Sequence, residues 1–257
     1  MSLTLHIDSH NGVSGDRMIG ALCALGLRPS ALEWELSRLP VGDFHMHFER
    51  VDDAVHFTIH EGATHAHEGE GHCCGGEHGH EHHDHGHGSH DHDGCCGHHH
   101  DHDEERYPLA GLREAVAASD LSPAVRERAT AILRRLETAC PRPLTGQERL
   151  ERVAEVVGVC VGLEQLGVTR VTASPLRESR GAADATALAI LDGIALERVD
   201  EPCALFTPVG AAIVAELVSF YGESPRLDGA TLGTGVSPAC CSSQAPARLS
   251  LLLGRPA

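Results

Sequence analysis

The chain contains no lysine: all 20 of its basic residues are arginine. That excludes a Walker A phosphate loop, a Schiff-base mechanism and a kinase-type lysine, each of which needs the ε-amino group. Aromatic residues make up only 3% of the sequence, so the core has to be built from Leu, Val, Ile and Ala. No apolar run approaches the ~18 residues of a membrane-spanning helix. The N-terminus lacks the basic segment and unbroken apolar stretch of a secretory leader, since Asp8 ends the run. These absences predict a cytoplasmic protein with no membrane partner. Gly-x-Ser-x-Gly, His-Glu-x-x-His and Cys-x-x-Cys are missing as well, and no hydrolase triad can be picked out.

Positive charge is scarcest in one place. Between Glu61 and Glu105 there are 12 acidic residues and no arginine, so the formal charge of −17 falls to −5 for the rest of the chain (25 acidic residues against 20 arginines). No basic stripe exists to release counterions, which argues against a nucleic-acid partner. The same segment has no Leu, Ile, Val, Met or aromatic residue. It cannot offset its ordering entropy by apolar burial, and it reads as a long disordered insert. The rest, in a chain of 257 residues that is 41% apolar, is long enough for one or two compact domains. The expected organisation is an N-terminal αβ segment over 1–60, the insert over 61–105 and a C-terminal αβ segment over 106–257. The expected class is α+β, with mixed strands and helices. An arrangement in two lobes is left open.

Hydrophobic periodicity places the elements. Strands are expected over 3–8, 43–50, 54–60, 168–173, 230–236 and 248–253. Helices are expected over 15–25, 29–39, 108–119, 122–139, from Thr145 to about Gly167, 184–193 and 211–219. Thr145-Gly-Gln-Glu148 is a capping-box pattern, and Ser122-Pro123 an N-cap and first-turn pair.

The insert is rich in metal ligands. It holds 15 of the 21 histidines: His65, His67, His72, His78, His80, His82, His83, His85, His87, His90, His92, His98, His99, His100 and His102. Cys73, Cys74, Cys95 and Cys96 interleave with them as two vicinal pairs. Imidazole suits Ni, Cu, Zn and Co, and thiolate adds affinity for Zn, Cu(I) and Ni. The acidic residues attract divalent cations, and ten glycines let the segment wrap ions in many arrangements. A purification tag would be terminal and free of Cys and Asp, and a merely solvated loop needs no histidine. Donor chemistry alone does not select nickel over zinc or cobalt. Ten cysteines in a cytosolic chain are expected as reduced thiols and ligands before disulfides.

A second cluster lies in Asp8-Ser-His10-Asn-Gly-Val-Ser14-Gly15-Asp16, between a strand and a helix. Asp8 and His10 can ligate a cation, while Ser14, Gly15 and the helix start suit an anion. The plainer reading is a strand-end Asp, turn glycines and an N-cap serine. Thr207-Pro-Val-Gly210 is a further anion-binding helix start, or an ordinary capped helix. Cys240-Cys241 collects metal or packs. His6 reads as a core histidine, and His45 and His47 as surface residues on one strand face, with metal ligation the lesser alternative.

Asp8-Ser-His-Asn-Gly-Val-Ser-Gly-Asp16, followed by Met18-Ile-Gly-Ala-Leu22, resembles the opening of the LarC nickel-insertion family, with Arg17 intervening. Ala118-Ser-Asp-Leu121, Thr207-Pro-Val-Gly-Ala-Ala212, Gly233-Thr-Gly235 and Leu251-Leu-Leu-Gly254 are similar to later family segments. The resemblance implies a part in a CTP-dependent cyclometallation, a lyase-type reaction that inserts Ni2+ into a pyridinium bis-thiocarboxylate mononucleotide. That step completes the nickel-pincer cofactor of lactate racemase-type enzymes. It implies Asp8 and Asp16 as catalytic, Ser14, Gly15, Thr207 and Gly210 as cofactor-binding, and His10 with the insert as metal-binding. The partner is then the cofactor precursor or its carrier. Histidine segments of the family are replaced near 144–152 and 180–190. The C-terminal domain credited with nucleotide use is expected from a separate polypeptide, with CTP acting only through it. A non-catalytic nickel or zinc storage and delivery protein on the same scaffold is the alternative.

Deleting residues 64–103 should strip most of the bound Ni2+ from the chain. Metal analysis after competitive loading with Ni, Zn, Co and Cu under reducing conditions checks this; unchanged nickel stoichiometry would show that the insert is not the metal store.

Overall fold

The computed structural model describes residues 2–62, 107–238 and 246–257. The His/Cys insert and Cys240-Cys241 lie outside these residues. Nine strands are described: β1 (Leu3–Asp8), β2 (Phe44–Val51), β3 (Ala54–Glu61), β4 (Val168–Ala173), β5 (Leu176–Ser179), β6 (Leu196–Val199), β7 (Val218–Tyr221), β8 (Leu227–Ser237) and β9 (Ala247–Pro256). The seven described helices are α1 (Gly15–Ala24), α2 (Pro29–Ser37), α3 (Leu109–Ala117), α4 (Pro123–Ala139), α5 (Gly146–Gln165), α6 (Ala185–Ile190) and α7 (Pro208–Leu217).

Seven strands form one mixed sheet in the order β2-β3-β8-β9-β1-β4-β7. β1 runs parallel to β4, β3 to β8 and β4 to β7, while β1–β9, β2–β3 and β8–β9 are antiparallel. β5 and β6 make a separate parallel pair. Strands from before and after the insert therefore share a single sheet, with β1 between β9 and β4 near its centre. Alternation along β1 sends Leu5 and Ile7 into the apolar core and Thr4 and His6 to the other face. His6 is buried there with its Nδ1 2.9 Å from Thr172 Oγ1, and burial lowers its pKa. It is buried, as its strand position implies, but on the face away from that apolar core, where it lines a cavity with Asp8 and His10.

The helices follow their sequence signals. Ser122 caps α4 by accepting from Val125 N at 3.2 Å, and Val125, Ala129, Ile132, Leu133 and Leu136 form the buried stripe. The Thr145–Glu148 capping box is closed in both directions at the start of α5. Gly26 (φ 117°) and Gly167 (φ 67°) follow the C-caps of α1 and α5 in the left-handed region that favours glycine. The expected helix over 211–219 ends earlier, at Leu217, because the Val218-Ser-Phe-Tyr221 run of β-branched and aromatic residues extends as β7 beside β4. β5, β6 and β7 escape periodicity because four residues are too few to define a period.

α1 lies directly on the sheet beneath the site. A Cβ at Gly235 in β8 would collide with the carbonyl oxygen of Arg17, and one at Gly20 with that of Val55. The two glycines remove the side-chain layer that normally separates a helix from a strand, and so fix how far Asp16 and Arg17 stand above β8. The Gly235→Ala variant should lose about 1–3 kcal/mol of stability through overpacking, read as a lower urea midpoint, with a steeper loss for Gly235→Val. An unchanged midpoint would mean that α1 is free to shift.

Candidate functional site

The β1–α1 loop and the β6–α7 loop are joined by backbone. Val13 and Phe206 form a parallel bridge in which Val13 N donates to Leu205 O at 3.0 Å and Thr207 N to Val13 O at 3.2 Å. The bridge lets two helix starts, α1 and α7, meet side by side. A Cβ at Gly210 would strike Val13 O, and one at Gly12 (φ 77°) would strike Leu205 O, so these glycines permit the contact. Gly210 N is occupied by Thr207 Oγ1 at 3.1 Å, an ordinary N-cap bond.

The β6–α7 loop is braced from beneath by Glu178. This carboxylate is fully buried and accepts from Ser179 N (2.6 Å), Leu205 N (2.9 Å) and Phe206 N (3.1 Å). Three backbone donors satisfy the buried carboxyl oxygens. On the opposite loop Ser14 occupies the N-cap position of α1, yet its hydroxyl does not cap the helix. It accepts instead from Arg17 Nε at 2.6 Å, while Arg17 Nη1 donates to Asn11 O at 3.0 Å. Arg17 is buried, and its charge is held under the loop.

Between the two loops opens a cleft of about 770 Å³, lined among others by His10, Ser14, Asp16, Arg17, Thr207 and Arg248. Arg248 also pairs with Asp53. Two arginines and Asp16 thus line one space large enough for a small-molecule ligand, although the Arg17 guanidinium is engaged by Ser14 and Asn11 O and Arg248 by Asp53. His10 stands at its edge, exposed, with Nδ1 2.5 Å from Asp8 Oδ1. A carboxylate on one ring nitrogen orients the imidazole and leaves Nε2 as the ligating atom. Asp8 therefore supports His10 rather than standing alone.

A smaller cavity of about 310 Å³ is also lined by Asp16, together with His56, His60, Glu151 and Glu155. Glu155 packs against the first turn of α1, where a Cβ on Gly15 would meet its side chain. The α1 start, which from sequence suits an external anion or is plainly capped, receives an internal carboxyl, placed where the helix dipole favours it. Although the side chain keeps a partial opening to the cavity, protein encloses the carboxyl. Burial pushes its pKa up to about 8; repulsion from Asp16 adds to this, while Arg152 and the Asp16 backbone N–H oppose it. Glu155 is a protonatable group poised near neutral pH beside Asp16.

Of the site residues read from sequence, His10, Ser14, Asp16 and Thr207 line one cleft, Asp8 reaches it through His10, and Gly15 and Gly210 act through close packing. The insert ligands, from His65 to His102 with Cys73, Cys74, Cys95 and Cys96, lie outside the described residues. Glu155, Glu178 and Arg248 were missed. Glu155 had a signal: it is an acidic residue inside the otherwise apolar 153–163 run of α5. Glu178 and Arg248 had none, because their partners are distant in sequence. The expectation of reduced thiols needs one correction, since Cys203 in the β6–α7 loop is disulfide-bonded. Composition counts cysteines but does not say which come within bonding distance. Cys23 and Cys160 are free, and burial pushes both thiols up to about 12, which disfavours the ligating thiolate.

Residues 5–254 match the sequence model described as nickel insertion protein. The chain belongs to the nickel insertion protein family. A Lactiplantibacillus plantarum protein named pyridinium-3,5-bisthiocarboxylic acid mononucleotide nickel insertion protein is 30% identical, over 87% of this chain and 55% of its own length. Proteins of the same name from Staphylococcus epidermidis (26% identical; 91% of this chain, 55% of the relative) and Desulfitobacterium hafniense (24%; 90% and 53%) are similar over nearly the same span. The chain spans about half the length of these curated relatives. No solved structure matches it. Among the described residues no helix is long and apolar enough to cross a membrane.

A carboxyl whose folded pKa lies near 8, against an unfolded value near 4.5, stays protonated in the folded chain while the unfolded chain ionises. The unfolded state then binds fewer protons between those values, so stability falls as pH rises from about 5 to 8. Glu155→Gln should flatten that decline and raise stability most at pH 8. Urea midpoints at pH 5, 6.5 and 8 test this, and an identical slope in the variant would contradict the assignment.

Proposed function

We propose that the protein takes part in inserting nickel into a pyridinium bis-thiocarboxylate mononucleotide. The observation that carries this reading is the cleft between the two bridged helix starts. It combines arginine side chains suited to an anionic mononucleotide with the Asp16 carboxyl and the Asp8-oriented His10, groups suited to a divalent cation. Nickel is the cargo. The insert histidines and cysteines collect it, with Zn2+ and Co2+ as competing ions, and His10 accepts it at the cleft. Asp8 and Asp16 work on the metal side, while Ser14, Gly15, Thr207 and Gly210 shape the wall against which the precursor rests. Glu155 holds a proton next to Asp16 and can exchange it near neutral pH. The product serves lactate racemase-type enzymes.

One observation favours storage and delivery without catalysis. Where the family carries a histidine segment, this chain has the Thr145–Glu148 capping box, with Arg142 donating to Glu148 at 2.6 Å and the Glu148 pKa lowered to about 2, first by Arg142 and then by the Thr145 backbone. That segment is committed to helix capping. The Asp16→Ala variant separates the readings. It should lose at least about 100-fold in conversion of the thiolated precursor to nickel cofactor, measured spectroscopically with CTP and a C-terminal polypeptide supplied. Its Ni2+ loading should stay near wild type. Nickel that loads but never transfers even in the wild-type chain would leave delivery as the function.

A further inference from the structure

The β2–β3 hairpin gathers three histidines that the cleft chemistry does not use. His45 stands opposite His60 in the antiparallel register, and His47 opposite Thr58. Strand alternation puts all three rings on one face, while Met46, Phe57 and Ile59 on the other face serve the core. Packing thus gives no reason for imidazoles here. The ring centroids lie 5.1 Å (His45–His47), 5.3 Å (His45–His60) and 6.1 Å (His47–His60) apart. His47 and His60 are exposed, and His45 is half-buried.

We propose that His45, His47 and His60 form a site for a borderline divalent ion of the Ni2+ or Zn2+ class, with water completing the shell. Imidazole nitrogens at about 2.0–2.1 Å from one tetrahedral ion place their ring centroids roughly 5 Å apart, close to the spacing found. As the side chains stand, no three donors among the described residues close around a point; turning the rings at exposed positions brings them together. His45 Nδ1 also lies 3.3 Å from Gly62 O. A carbonyl at that distance holds the Nδ1 proton and directs Nε2 to a metal, the arrangement usual for histidine ligands.

The position gives the site a use. Gly62 is the last described residue before the histidine-rich insert, and His60 lines the smaller cavity with Asp16 and Glu155. The hairpin is therefore a station between the insert and Asp16. That use rests on the nickel-insertion reading, whereas ion binding by the three histidines does not.

Carbethoxylation of the intact chain, mapped residue by residue by peptide mass spectrometry, tests the site. With free Ni2+ about tenfold above the dissociation constant, His45, His47 and His60 should each react about tenfold more slowly than in the metal-free chain. In the double variant H45A/H47A the protection of His60 should vanish, while the insert histidines stay protected. Buried His6 should stay slow throughout as a reporter of folding. Unchanged rates at the three positions in the wild-type chain would overturn the proposal. So would full protection of His60 in the double variant, which would mean that something other than shared ligation covers it. No precursor or CTP is present, so failure here is distinct from failure of the insertion reading. Conversely, Asp16→Ala should keep the footprint intact.

Discussion

The site depends on the backbone bridge between Val13 and Phe206, which holds two loops from distant parts of the chain at one height above the sheet. Without it, the α1 start and the α7 start would be two unrelated capped helices. With it, Ser14, Asp16 and Thr207 look onto one cleft. Backbone can approach backbone this closely only where side chains are missing, so Gly12 and Gly210 are requirements of the bridge. The buried Glu178 does for the β6–α7 loop what a layer of secondary structure would otherwise do, satisfying Leu205 and Phe206 amides that a loop leaves unpaired.

Two buried carboxyls serve opposite ends. Glu178 receives three backbone N–H groups and braces a wall of the cleft. Glu155, crowded by Asp16 and enclosed by protein, is held as a protonated neighbour of that acid. The difference lies in donors: one carboxyl has several, while the other has mainly desolvation and repulsion. Asp16 therefore lines two cavities, one that also includes Arg17 and Arg248 and one that includes Glu155.

Family membership rests on a match across residues 5–254 and fits this geometry. The motif segments that resemble the family, around Asp16, Thr207 and Gly233–Gly235, are not adjacent in sequence, yet they are neighbours in the fold. α1 rests on β8 at Gly235, and the α7 start rests on Val13. The short motifs thus read as parts of one packed unit, with the glycines as its contact points.

The sequence by itself determined the local elements. The α4 stripe, the α5 capping box, the C-terminal glycines and the β2–β3 hairpin were legible, because caps, turns and 3.6- or 2-residue periods are short-range physics. The acidic, glycine-framed loop was legible for the same reason: its residue types and their spacing are written in order along the chain. Tertiary structure alone decided the strand order, the short strands β5, β6 and β7, and the meeting of Val13 with Phe206. It also decided that Glu155 fills the α1 start, that Glu178 braces the loop, that Arg248 joins the cleft and that three hairpin histidines share a face with their rings in contact. Each of these depends on residues far apart in sequence being brought together. Their energetics come from burial and proximity, which no local pattern encodes.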